Sequence, residues 1–327
     1  MSDATLLTVS PSPHVHTGLT TPQIMRGVII ALLPAVILSV IVFGLPALVT
    51  LTTTVVSCVF FEWLIARYLL KQEAAIGDGS AVITGLLLAF NVPAGLPWYV
   101  ILIGSAVAVG IGKMTFGGLG NNPFNPALVG RVFLLVSFPV QMTTWPTVDG
   151  TTGATALGML KDGLRQGDTV PAIMEQVPGY GSMLLGYQGG SLGEMSAILM
   201  LLGLVYMLYR KIITWHIPIS MLVTVAAFAA VFWLIDPTQY ADPVFHLLTG
   251  GIMLGAVFMA TDYVTSPTTH KGMLIFGVGI GVITMVIRLF GSYPEGVSFA
   301  ILIMNAFVPL INRFTKPVKY GRVKENS

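Results

Sequence analysis

The chain has 327 residues, of which 54% are hydrophobic and only 9% are charged. Soluble globular proteins carry about 25% charged residues, so this composition predicts a protein embedded in the membrane and excludes a further soluble domain of ordinary size. The formal net charge of +2 gives no sign of nucleic-acid binding. The single cysteine, Cys58, excludes an internal disulfide and a cysteine-ligated iron–sulfur cluster.

Ten apolar segments along the chain predict an all-α integral membrane protein with about ten transmembrane helices. They are Met25–Gly44, Leu45–Leu70, Ser80–Val92, Trp98–Thr115, Pro126–Val140, Met195–Tyr209, Ile217–Ile235, Val244–Ala260, Met273–Phe290 and Val297–Ile311. The predicted organisation is a cytoplasmic N-terminal segment (1–24), a five-helix repeat (25–140), an extracytoplasmic loop (141–194), a second five-helix repeat (195–312) and a cytoplasmic basic tail (313–327).

Basic residues are distributed unequally between the two sets of connections. One set carries most of the cations, namely Arg67, Lys71, Lys113, Arg210, Lys211, Lys271 and those of the tail. The opposite set carries mainly acids, including Asp149, Asp162, Glu194, Asp236 and Glu295. Because cytoplasmic loops are enriched in Lys and Arg, we expect both termini in the cytoplasm and the loop 141–194 on the outer side.

The two halves of the chain resemble one another at an interval of roughly 170 residues, which suggests an internal repeat. Residues 123–127 lead into the fifth segment as residues 294–298 lead into the tenth. The third segment, which ends near Asn91, corresponds to the eighth, which ends near Thr261. Five spans per repeat is an odd number, so the two halves must be inverted. The functional site is then expected near the midplane, around the interrupted third and eighth segments.

The most distinctive polar stretch lies in the predicted outer loop. It reads Asp149, Gly150, Thr151, Thr152, Gly153, Ala154, Thr155. Its two glycines give the backbone freedom, and its small side chains predict an exposed, flexible peptide. A modifying enzyme could therefore esterify the Thr155 hydroxyl. On composition alone, a Thr/Gly loop is usually only a loop.

Charged residues fall within or at the edges of several apolar segments: Glu62, Lys113, Arg131, Asp262 and Arg288. Placing such a group at mid-bilayer costs at least ~2.5–3.5 kcal/mol, so each is a candidate for function. Lys113 and Arg288 can instead snorkel from helix ends, whereas Arg131 lies well inside a short segment. Glu62 is close enough to Arg67 along a helix to pair with it.

Asn125 and Pro126 open the fifth segment. Asparagine at the N-cap and proline at the first helical position are typical of a helix start, so we predict that Asn125 caps this helix. The amide groups around it can also bind a ligand that has both donors and acceptors.

Several motifs together resemble the family formed by the RnfD proteins of Rnf complexes and the related NqrB proteins of sodium-pumping NADH:quinone reductases. The resemblance covers about residues 11–322. Its motifs are residues 12–16, 117–127, 149–155, 260–265 and 293–296, together with Arg288.

This resemblance implies that Thr155 carries FMN through a phosphate ester, within an acceptor motif that includes Asp149, Thr152, Gly153 and Ala154. It also implies a second, noncovalent flavin (riboflavin or FMN). Asn125 and Asp262 are candidates to contact the second flavin, and Arg131 is a candidate partner for the flavin phosphate or for the Asp149 loop. No metal site is predicted.

The function implied is that of a membrane electron-transfer subunit in a redox-driven ion-translocating complex, linked to ferredoxin and NAD, in the bacterial cytoplasmic membrane. Such a subunit has no complete active site of its own. Its expected partners are the other Rnf proteins (RnfA, RnfB, RnfC, RnfE and RnfG), above all the flavinylated RnfG, together with a flavin transferase and the lipid bilayer. The five-plus-five architecture also resembles urea transporters, so a solute channel without flavin stays open as the alternative.

Overall fold

The computed structural model describes residues 20–71, 76–146, 152–194 and 196–316, and these are mostly helical. The α-helices are α1 (Thr21–Phe43), α2 (Leu45–Leu64), α3 (Ser80–Phe90), α4 (Trp98–Ala106), α5 (Pro126–Ser137), α6 (Pro139–Thr143), α7 (Ala156–Gln166), α8 (Val170–Met174), α9 (Tyr180–Leu185), α10 (Ala197–Tyr209), α11 (His216–Ile235), α12 (Pro243–Leu248), α13 (Ile252–Leu254), α14 (His270–Phe290) and α15 (Val297–Phe314). Turns of π-helix follow α2 (Ile65–Leu69), α4 (Val107–Ile111) and α13 (Gly255–Met259). Two short strands, β1 (Trp145–Pro146) and β2 (Thr152–Gly153), pair antiparallel with Trp145 opposite Gly153.

Six helices of the described chain are long and apolar enough to cross a bilayer. They are Thr21–Phe43, Leu45–Leu69, Trp98–Phe116, His216–Ile235, His270–Phe290 and Val297–Phe314. The helices α3, α5 and α10 are apolar but shorter, and the predicted eighth segment is divided between α12 and α13 with its π-turn. The all-helical membrane fold is therefore confirmed. The count of ten crossings and the urea-transporter-like inverted repeat stay predictions.

The long helices bury one side and expose the other. A single apolar core runs between the helices and includes Leu32, Leu128 and Phe276, all fully enclosed. Large apolar side chains such as Ile41 and Leu234 are exposed on the outside. An apolar outer surface is what contact with lipid requires, because lipid tails replace water as the solvent of these faces.

Helices α11 and α14 pack closely because α14 presents glycines to α11. A β-carbon on Gly277 would lie 2.9 Å from the carbonyl oxygen of Ile217, and one on Gly281 would lie 2.8 Å from the β-carbon of Thr224. These distances leave no room for a side chain, so the two glycines set the separation of the helices. Small residues allow this close approach in membrane helix packing.

The ends of the predicted third and eighth segments meet inside the bundle. Helix α3 ends at Asn91, whose Nδ2 donates to the carbonyl of Leu87 at 2.6 Å and lies 3.7 Å from the sulfur of Met259. Met259 is the last residue of the π-turn after α13. The two interrupted segments therefore converge on one buried point, as the sequence led us to expect for the region of the functional site.

The segment 152–194, predicted as an open loop, instead contains α7, α8 and α9 and packs around an apolar core of its own. The core includes Leu157 and Leu160 of α7, Ile173 of α8 and Met183 of α9, packed with Phe245 of α12. The segment is therefore a folded cap on one end of the bundle. We refer to this end as the cap side.

Candidate functional site

Thr155 is the N-cap residue of α7. Its Oγ1 accepts a hydrogen bond from the Gly158 amide at 3.1 Å, and its carbonyl accepts one from the Met159 amide at 2.8 Å. Only 7% of the residue is exposed. The prediction of an exposed Thr155 is therefore wrong, because helix capping and the packing of α7 enclose the side chain.

The rest of the predicted acceptor motif is described only in part. Gly153 lies in β2 and Ala154 is exposed just before the cap residue. Asp149 lies outside the described residues, and the side chain of Thr152 is likewise not described. The motif therefore leads from a short strand directly into the N-terminus of α7.

Lys161 attaches α7 to the end of α14. Its Nζ donates to the carbonyl of Tyr293 at 2.8 Å and to that of Arg288 at 3.3 Å. Burial lowers the pKa of Lys161, and Arg165 and Arg288 lower it further. One turn earlier on α7, the side chain of Leu157 packs against Gly250. Gly250 adopts φ +68°, a conformation that favours glycine.

Beneath this contact lie four buried charged residues, Arg131, Glu194, Arg288 and Glu295, which we name the cap-side cluster. The Arg131 guanidinium donates to Asn91 Oδ1 at 2.8 Å, to Ser298 Oγ at 2.6 Å and to the Glu295 carboxylate. Arg131 was predicted to meet a flavin phosphate or the Asp149 loop. The structure places its donors instead on α3, on α15 and on the loop between α14 and α15.

Arg288 is held by the end of α12. Its two terminal nitrogens donate to the carbonyls of His246 and Thr249, each at 2.8 Å. A cation at a helix C-terminus also stabilises the helix dipole. Arg288 is only 5% exposed, so the prediction that it snorkels to the surface is wrong.

The two glutamates of the cluster differ in their electrostatics. Burial raises the pKa of Glu194 well above its ordinary value, and repulsion from the nearby Glu295 carboxylate raises it further. Burial also opposes ionisation of Glu295, but the ion pair with Arg131 outweighs it and holds the pKa of Glu295 well below its usual range. Glu295 is therefore the anion of the pair, and Glu194 is the carboxyl group that holds a proton more readily.

A second buried ion pair lies at the opposite end of the bundle. Lys113 Nζ contacts Glu62 Oε2 and Ser80 Oγ, each at 2.6 Å, and the Ser80 hydroxyl donates to Asp78 at 2.7 Å. Lys113 is only 2% exposed. Its predicted snorkelling is therefore wrong, and Glu62 pairs with Lys113 rather than with Arg67.

A cavity of about 80 Å³ opens beside this ion pair. Its polar lining consists of Ser80, Thr84, Lys113, Asn122, Asn125, Thr261, Asp262 and Tyr263. Asp262 accepts a hydrogen bond from the Thr265 hydroxyl at 3.1 Å. The structure thus brings together Asn125 and Asp262, the two residues that the resemblance connects with a second flavin. A cavity of this volume holds only a few water molecules, so a ring system enters only if lining side chains move.

Helix α5 connects the two polar sites. The predicted cap is confirmed: Asn125 Oδ1 accepts from the amides of Ala127 at 3.1 Å and Leu128 at 3.4 Å. Its Nδ2 donates to the carbonyl of Met259 at 3.2 Å. Arg131 follows six residues later, which corresponds to about 9 Å along an α-helix. The cavity and the cap-side cluster are therefore close neighbours across the middle of the bundle.

Several members of the sites were not selected from the sequence. Glu194 and Glu295 had been treated only as acids of the outer loops, and Ser298 had no assigned role. Arg131 and Glu295 are 164 residues apart, so local pattern analysis cannot pair them. The one available signal was the proposed repeat, which aligns residues 123–127 with residues 294–298.

These features define a helical membrane protein that crosses the bilayer several times and carries two buried ionic sites, one under a folded cap and one beside a polar cavity. Comparison with known proteins places it more closely. The chain belongs to the NQR2, RnfD, RnfE family, whose model matches residues 8–321. The resemblance found in the sequence is therefore confirmed.

Curated relatives match over nearly their whole length, and each is the RnfD component of its complex. The chain is 46% identical over 321 residues to that component of the Na(+)-translocating ferredoxin:NAD(+) oxidoreductase complex of Acetobacterium woodii, covering 97% of this chain and 96% of the relative. It is 45% identical to its counterpart in the proton-translocating ferredoxin:NAD(+) oxidoreductase complex of Clostridium ljungdahlii, with the same coverage. It is 41% identical to the counterpart in the ion-translocating oxidoreductase complex of Halorhodospira halophila, covering 95% of each chain.

Proposed function

We propose that this protein is a membrane electron-transfer subunit of an ion-translocating ferredoxin:NAD+ oxidoreductase complex, and that it carries FMN esterified through phosphate to Thr155. The observation that carries the proposal is the position of Thr155. The residue that ends the acceptor motif is also the residue at the N-terminus of α7, in a chain whose relatives are subunits of such complexes.

The surroundings of Thr155 suit a phosphate ester. The first turn of an α-helix has amide groups without intrahelical partners, and the helix dipole adds positive charge there. Such a terminus is an anion-binding site, so α7 would stabilise a phosphate attached to its own N-cap residue. Flavins accept one or two electrons, and nearby charges and hydrogen bonds tune them. The chain would supply such charges from Lys161 and from the cap-side cluster.

A second, noncovalent flavin is proposed for the cavity beside Lys113. Asn122 and Asn125 offer amide donors and acceptors, and Asp262 offers a carboxylate, which suits the polar edge of an isoalloxazine ring. Apolar side chains such as Val28 and Leu87 line the remainder and suit the ring faces. This arrangement would place one flavin at each end of α5.

The proposed cellular context follows the relatives and the charge distribution. The chain would assemble with RnfA, RnfB, RnfC, RnfE and RnfG in the bacterial cytoplasmic membrane and exchange electrons with the flavinylated RnfG. Both termini would be cytoplasmic and Thr155 would lie on the outer side, because the basic connections lie opposite the cap. A flavin transferase would attach the FMN.

The test separates the covalent role of Thr155 from its capping role. The protein is expressed with a flavin transferase, denatured on a gel and viewed under ultraviolet light, and its peptides are mapped by mass spectrometry. Wild type should fluoresce. Thr155→Asn should be dark yet remain folded, because asparagine is as good an N-cap as threonine but has no hydroxyl to esterify. Thr169→Asn, at the exposed N-cap position of α8, is the matched control and should fluoresce.

A dark wild-type band, together with an unmodified Thr155 peptide, would contradict the proposal and favour the alternative of a solute channel. The second flavin is tested separately on the same preparation. Acid precipitation should release one flavin into the supernatant from wild type and less from Asn122→Leu, while the covalent flavin stays in the pellet. Equal release from both proteins would place the second flavin elsewhere.

A further inference from the structure

The two glutamates of the cap-side cluster each have a buried oxygen without a hydrogen-bond donor. These atoms are Oε1 of Glu194 and Oε1 of Glu295, and neither has a partner among the described residues. The two carboxyl groups nevertheless lie within hydrogen-bonding reach of one another. Two carboxylates offer only acceptors, so they cannot bond to each other unless one holds a proton.

The neighbouring cations do not supply the missing donors. Arg131 directs its hydrogen bonds to Asn91, Ser298 and Glu295, and Arg288 directs its own to two backbone carbonyls of the α12 end. In the part of the chain that is described, Glu194 has no cation within 4.0 Å. An ionised Glu194 would therefore be a buried charge without its own partner, which is costly in a low-dielectric interior.

We propose that Glu194 carries a proton and donates it to the Glu295 carboxylate, so that the two side chains form one buried proton-binding site under the cap. A proton from water converts the Glu194 carboxylate to a carboxylic acid, and no other bond changes. Arg131 fixes Glu295 as the anion. The charged and titratable groups around Glu194 are Arg131 on α5, Glu295 after α14, Arg288 on α14 and His246 on α12.

The electrostatics of the loop residues agree with this arrangement, since burial raises the pKa of Glu194 while Arg131 lowers that of Glu295. Two like carboxyl groups that share a site titrate apart in this way. The site also has a route to water, because the Glu295 side chain is 12% exposed. The inference rests on the geometry of these side chains and does not depend on a flavin at Thr155.

The test is infrared spectroscopy of the purified complex at neutral pH in potassium buffer. Wild type minus Glu194→Gln should show one carbonyl band of a protonated carboxyl group that shifts in D2O. Wild type minus Glu175→Gln, the exposed control, should show none. Glu295→Gln should also remove the band, because Glu194 then loses the carboxylate that stabilises its proton.

Glutamine has the shape of glutamic acid and offers an amide donor to Glu295, so Glu194→Gln should assemble normally. Wild type also tests the proposal without any variant: its band should persist to alkaline pH. The proposal is overturned by a wild-type spectrum without a protonated carboxyl band at neutral pH. It is also overturned if the band remains in Glu194→Gln, or if it disappears when sodium replaces potassium, because a metal ion would then occupy the site.

Discussion

Replacement of Arg131 by methionine should destabilise the protein strongly, because it leaves Glu295 buried without its cation. Arg131 makes hydrogen bonds to three groups on three different elements. Breaking a buried ion pair by removing one partner costs about 3–5 kcal/mol. At about 2–4 °C per kcal/mol for a domain of this order of size, the melting temperature should fall by roughly 6–20 °C.

The assay is the thermal stability of the detergent-solubilised protein, followed by the loss of its monodisperse peak after heating. The double variant Arg131→Met/Glu295→Gln should recover much of the loss, since it removes both charges and a neutral pair of similar volume is tolerated. Arg131→Lys should be intermediate, because lysine keeps the charge but not the planar set of donors.

The pH dependence gives a further check on the sign. In wild type, Arg131 lowers the pKa of Glu295, so this contribution to stability is present above the unfolded pKa of about 4.3 and is lost as the pH falls through the folded pKa. In Arg131→Met the contribution is absent, so wild type and variant should differ most near neutral pH and converge in acid. A loss below about 1 kcal/mol, the size of an exposed pair, or a double variant no more stable than the single one would refute the reasoning.

Three further changes test other contacts. Lys113→Met should destabilise the protein by about 3–5 kcal/mol, and adding Glu62→Gln should restore part of the loss in the same heating assay. Gly277→Val should cost about 1–3 kcal/mol by overpacking, because its β-carbon would lie 2.9 Å from the Ile217 carbonyl oxygen; an unchanged melting temperature would show that α11 and α14 separate freely. Asn125→Ala should cost about 1 kcal/mol as a lost helix cap, whereas Asn125→Asp should cost less; equal losses would assign the effect to the bond with the Met259 carbonyl rather than to the cap.

The helical membrane architecture was predictable because it depends on local composition. Apolar runs alone located the six long helices, and Asn125 before Pro126 located the start of α5. The same local reasoning failed for the segment 152–194. Its helices α8 and α9 have only five and six residues, and they are held by contacts with Phe245 and its neighbours, far along the chain.

The candidate sites were predictable in their charges but not in their pairings. Arg131, Lys113 and Arg288 were selected because each is costly to bury. Their partners are set by tertiary contacts: Glu62 is 51 residues from Lys113, and Glu295 is 164 residues from Arg131. For this reason the sequence could nominate snorkelling for Lys113 and Arg288, and only the packed structure shows both of them enclosed.

The enclosure of Thr155 sets an order of events for the biogenesis proposed here. A transferase cannot reach the hydroxyl of a residue that is only 7% exposed and whose oxygen is occupied by a helix cap, so modification has to precede the docking of α7 or proceed through its transient undocking. Variants that loosen the contact of Leu157 with the bundle should then accept flavin faster, and a prefolded, unmodified protein should accept it slowly. Maturation of this protein would be limited by the opening of its cap rather than by the chemistry of ester formation.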